Sequence, residues 1–61
     1  MKKQDAYDAM VSGKMVRNDQ FTSFEYLMSD SNSKEIIDNN SEIISNFWSD
    51  EYYPTADWTV I

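Results

Sequence analysis

At 61 residues the chain has room for one domain, residues 1–61, and a domain this size buries only about 60% of the surface its unfolded chain exposes. Cysteine and histidine are both missing, so disulfides are excluded and a zinc site is not expected; self-association is the support left for so small a core. A net charge of −6, with five basic residues that form no stripe, argues against nucleic acid and anionic membranes as partners, and no apolar run is long enough to span a bilayer.

The first predicted element is a helix from about Lys3 to Ser12. Ala6, Ala9, Met10 and Gly13 fall at i, i+3, i+4 and i+7, giving one small apolar face. Asp5 sits in the first turn, where it complements the helix dipole, and Gly13 supplies the positive φ that ends a helix. Met1-Lys2-Lys3 resembles the start of a secretion signal, but Gln4 to Asp8 is too polar to continue one, so a cytoplasmic protein is expected.

Lys14 to Asn18 reads as a first strand anchored by Met15 or Val16, followed by a turn at Asp19-Gln20. Phe21-Thr22-Ser23 is open between loop and strand. Phe24, Tyr26 and Met28 alternate with Glu25, Leu27 and Ser29 in a period-two segment, and the Ser29–Ser33 stretch is turn chemistry without glycine. Glu35–Asp38 and Glu42–Ser45 read as two short strands, each with an Ile-Ile pair. The Asn39-Asn40-Ser41 link between them suits left-handed backbone. Asn46–Ala56 is irregular, rich in rings and acids, with Pro54 barring a central strand. Trp58 and Val60 alternate with Asp57 and Thr59 in a closing strand.

These elements predict an α+β fold: one N-terminal helix packed on a small antiparallel sheet of about four to five short strands. Each Ile-Ile strand can turn only one isoleucine to the helix, so the other lies exposed unless a second copy covers it. A homodimer or larger assembly is therefore expected.

Signals for catalysis are weak. Without histidine or cysteine the common nucleophile–base pairs are unavailable, and the Asp5/Asp8 and Asp50-Glu51 pairs are what eleven acids produce on a solvated surface. A calcium loop from Asp30 fails, because Lys34 replaces a ligand, Glu35 takes the place of the turn glycine, and Ser41 that of the closing glutamate. The expectation is a non-enzyme without metal or cofactor.

Aromatic residues make up 15% of the chain. In one reading Tyr7, Phe21, Phe24, Tyr26 and Trp58 clamp the helix to the sheet. In the other, some rings stack on a planar ligand such as a nucleobase, with Arg17, Asn18 or Asn46 supplying hydrogen bonds. Phe47, Trp48, Tyr52 and Tyr53, in the irregular segment, are expected at an interface or pocket.

The order helix, Ala9-Met10, Gly13-Lys14-Met15-Val16-Arg17, Phe21, Phe24 to Met28 and a closing Asp57-Trp58-Thr59-Val60 resembles a group of small phage proteins. Its best-understood members are the Thoeris anti-defence sponges of the second type. The resemblance covers most of the chain; Asn18 stands where a second arginine is usual, and Phe21 where a tryptophan is. It implies a helix-plus-antiparallel-sheet fold, homo-oligomers, and pockets between protomers that sequester cyclic ADP-ribose-type or cyclic nucleotide immune signals without cleaving them. By that resemblance Arg17 and Asn18 are polar ligand contacts, Phe21, Tyr26 and Trp58 are stacking or wall residues, and Asp57 belongs to the same site. The alternative is an acidic phage inhibitor that binds a host protein directly, imitating nucleic acid with its surface.

Overall fold

The helix α1 (Lys3–Val11) ends where its chemistry dictates. In the computed structural model, which describes residues 1–22 and 24–61, Gly13 adopts φ +99°. The Gly13 N–H donates to the Met10 carbonyl and the Lys14 N–H to the Ala9 carbonyl, both at 3.0 Å. That is the Schellman pairing, and it satisfies two carbonyls the helix cannot. A Cβ on Gly13 would meet nothing within 4 Å, so only backbone strain opposes one. Gly13→Ala is expected to cost about 1–2 kcal/mol, read as a lowered thermal midpoint with the fold unchanged.

Four three-residue strands follow: β1 (Val16–Asn18), β2 (Leu27–Ser29), β3 (Ile36–Asp38) and β4 (Trp58–Val60). They form one antiparallel sheet in the order β3-β2-β1-β4, so the last strand returns to lie beside the first. Val16 pairs with Val60 and Leu27, Asn18 with Trp58, and Ser29 with Ile36. On the helix side Ala6 and Met10 pack with Val16, Leu27, Ile36, Phe21 and Trp58 into the core. The alanine face lets the helix approach closely; the large pieces come from the sheet and the loops.

Accessible surface totals 4277 Å², against roughly 4,100 Å² for a monomer of this mass. The amount of exposed surface is thus ordinary, and a case for assembly rests on where that surface lies.

Several expectations change in detail. The fifth strand, Glu42–Ser45, shrinks to one bridge between Ile37 and Ile43. The Ile44 N–H donates to the Ile36 carbonyl at 2.8 Å and the Ile36 N–H to Ser45 Oγ at 2.9 Å, after which the chain coils into a 3₁₀ turn at Ser45–Phe47. A side-chain oxygen replaces the next rung of the ladder. The period-two segment also has the opposite parity to a Phe24-Tyr26 clamp: Leu27 is buried, whereas Phe24 is 83% exposed. Tyr7 is 39% exposed on the helix flank, and its ring meets that of Trp48 at 6.2 Å in place of the sheet. Of the ambiguous Phe21–Ser23 stretch, Phe21 lies in the core and Thr22 is exposed, and Ser23 lies outside the described residues. The two glycine-free turns place Lys34 and Ser41 at φ +64° and +63°, rather than an asparagine.

Candidate functional site

Asn18 and Trp58, expected as ligand contacts, share one rung of the sheet beneath the helix. Trp58 is 1% exposed, and its ring is held edge-on by Phe21 at 5.7 Å and Trp48 at 5.3 Å. Asn18 Oδ1 accepts the Gln20 N–H at 2.8 Å, which fixes the Asp19-Gln20 turn. The Asn18 amide nitrogen and the Trp58 indole nitrogen are buried with no acceptor among the described residues. Each side chain is 1% exposed and belongs to the packing of the chain itself.

Three of the four rings expected at an interface or pocket are drawn inward. Trp48, Tyr52 and Tyr53 pack against the core, while Phe47 is 65% exposed. The inward turn is stapled by Lys3, whose ammonium donates to the Ser49 and Tyr52 carbonyls and sits 4.9 Å and 5.3 Å from the Trp48 and Tyr52 ring centres. A cation on two ring faces holds aromatic surface that solvent would otherwise meet. Burial lowers the Lys3 pKa, partly offset by Asp50.

Asp57 serves the chain end. Its carboxylate accepts from the Met1 ammonium at 2.7 Å, which also donates to the Trp58 carbonyl at 2.8 Å, and the Trp58 N–H donates to the Met1 carbonyl at 3.1 Å. Met1 thus covers part of the open edge of β4. The hydrogen bond and the charge of the amino terminus hold the Asp57 carboxyl below its ordinary 3.8. With the folded pKa below the unfolded one, the stabilisation is complete above the ordinary value and is lost as pH falls through the lower one. Asp57→Asn is expected to flatten the stability profile below about pH 4, measured by urea midpoints across an acid series.

The face of the sheet away from the helix carries no second layer among the described residues. Arg17 and Thr59 pair there, as do Met28 and Ile37, with Ile43 bridged alongside and Ile61 bonded to Met15 at the end. Ile43 and Ile61 are each 58% exposed. The Ile-Ile strand divides as its pattern predicts, Ile36 to the core and Ile37 to the open face. Arg17 is the one basic residue within the four strands. Its guanidinium reaches the Phe21 and Thr22 carbonyls at 3.1 and 3.2 Å, fastening the loop that follows β1, and its Nε is buried without an acceptor among the described residues.

That loop forms one wall of a cavity of about 240 Å³ at the end of the sheet. Phe21, Tyr26 and Tyr52 supply ring surface, and Leu27 and Ile44 an apolar floor. The rim is Glu25, Asp38 and the Asn39-Asn40 turn. Burial, followed by Tyr53, Glu25 and Asp38, raises the Tyr52 hydroxyl pKa, so it stays protonated. Of the six expected ligand residues, then, Phe21 and Tyr26 share this cavity, Arg17 braces its wall from the other face, and Asn18, Asp57 and Trp58 are engaged elsewhere. Glu25 and Asp38 were not expected at a site because each reads as a solvated acid of a short strand. Glu25 precedes β2 and Asp38 ends β3, and each braces the adjoining turn: Glu25 Oε1 accepts from Thr22 Oγ1 at 2.9 Å, and Asp38 Oδ1 accepts from the Asn40 and Glu42 N–H groups at 2.8 and 3.0 Å.

Among the described residues no three acidic side chains gather to hold a metal ion, and no helix is long and apolar enough to cross a membrane. No family model, curated protein or solved structure matches the chain.

Proposed function

We propose that this chain is a non-catalytic binding protein whose copies join across the open sheet face and sequester a cyclic nucleotide or cyclic ADP-ribose-type signal at the seam, as in the phage anti-defence sponges it resembles. Its place of action would be the host cytoplasm. The observation that carries the reading is Arg17, a half-buried cation on the open sheet face, with Thr59 on one side and the apolar side chains of Met28, Ile37 and Ile43 on the other. A guanidinium in such a setting suits a phosphate better than a lysine would, because it is weakly hydrated and, with Nη2 held by the Phe21 and Thr22 carbonyls, it still has Nη1 to donate. An apolar surround that a second copy would seal from water strengthens that contact. The lack of histidine and cysteine supports retention of a ligand over its cleavage.

Titration calorimetry against a panel of cyclic dinucleotides and cyclic ADP-ribose isomers tests this directly. At least one should bind, Arg17→Ala should weaken it by about tenfold or more, and Arg17→Lys should recover part of the loss. Uniform absence of heat would defeat the reading. Silence there, together with a stoichiometric protein partner captured from bacterial lysate, would favour the acidic inhibitor of a host protein instead.

A further inference from the structure

We propose that the cavity between Phe21, Tyr26, Tyr52 and the Asp38–Asn40 turn is a binding site for an organic cation, a primary ammonium or guanidinium group. The proposal is independent of the nucleotide reading, since it concerns the helix side of the sheet and the opposite charge.

The lining contains two carboxylates and no lysine or arginine. Each carboxylate spends one oxygen on its own turn, Glu25 on Thr22 and Asp38 on Asn40 and Glu42, and the second oxygen of each has no protein donor among the described residues. Ring surface from three aromatic side chains stands beside them. A cation there meets ring faces and free carboxylate oxygens together, the combination that recognises ammonium groups. The Asn39 and Asn40 side chains add carbonyl acceptors at the rim. The raised pKa of Tyr52 fits the same picture: its hydroxyl lies in the field of both acids, with no cation lining the space to offset them. At about 240 Å³ the space is smaller than a site for a drug-sized molecule, so it fits a head group or the end of a side chain. A phosphate would face both carboxylates and is excluded by charge.

The test uses the full chain and amide-resonance titrations with agmatine, 1-butanol and butyrate, alongside a capped peptide bearing one arginine. Agmatine or the peptide should shift the Tyr26, Asn39 and Tyr52 resonances saturably at millimolar concentration; butanol and butyrate should not. Saturation by agmatine assigns a free amine, and saturation by the peptide alone assigns a protein-borne side chain. Glu25→Gln and Asp38→Asn keep the acceptors their turns need and remove charge, and each should weaken binding by about tenfold. If Asp38→Asn loses its folded spectrum, Glu25→Gln decides. No saturable shift, equal binding of butanol, or unchanged affinity in Glu25→Gln overturns the proposal.

Discussion

Trp58→Ala is expected to abolish cooperative unfolding. Trp58 is the largest fully buried side chain, and it joins the loop rings Phe21 and Trp48 to the sheet through two edge-on contacts. Removing such a ring costs about 3–5 kcal/mol, and a single core in a chain this short rarely supplies more than that in total. The variant should give a broad, sloping thermal trace by circular dichroism and lose its near-ultraviolet signal. Trp58→Phe should keep a sigmoidal transition at a lower midpoint, because a smaller ring still meets Phe21 and Trp48. A Trp58→Ala protein that melts cooperatively close to wild type would show that the helix–sheet core does not hold this fold.

The second large effect concerns assembly. Ile37 lies on the open face between Met28 and the bridged Ile43, and contributes nothing to the buried core. Ile37→Glu should therefore leave the monomer folded. In an assembled seam it would bury an unpaired charge, a cost that raises the dissociation constant by about thirtyfold or more. Val11→Ser supplies the comparison: Val11 is exposed on the helix, in the other layer, and its loss should leave association unchanged. Sedimentation equilibrium of the three proteins at matched concentrations reads the difference.

The two ends of the chain were the most legible parts of the sequence. Ala6, Met10 and Gly13 announce a short helix with a small face and a left-handed stop, and each does that work. Asp57-Trp58-Thr59-Val60 announces a half-buried strand; Trp58 goes to the core, and the strand's place beside β1 follows from the pairing of Asn18 with Trp58. The division of Ile36 from Ile37 follows equally from period-two geometry.

The middle was less legible for identifiable reasons. Both parities of Phe24 to Met28 carry apolar residues, so hydrophobic alternation could not say whether Phe24 or Leu27 faces the helix. Ser45 ends the pairing of its segment by offering Oγ to Ile36, a competition that strand propensity does not register. The aromatic loop looked like an interface because rings among acids read as exposed; Lys3, more than forty residues earlier in the chain, is what draws Trp48 and Tyr52 inward. The cavity is assembled from three separate stretches around Phe21, Asp38 and Tyr52, and no local pattern joins them. Arg17 stood out as a donor to a planar ligand and again by resemblance; its position on the open face is visible only with the sheet in place.

Everything proposed about the seam depends on copies of this chain meeting through the Met28–Ile37–Ile43 face. Sedimentation velocity of the wild-type protein from micromolar to millimolar concentration tests that most directly. A species at twice the chain mass or more, populated in the micromolar range, is the predicted result. A single boundary at the mass of one chain throughout the series would contradict it.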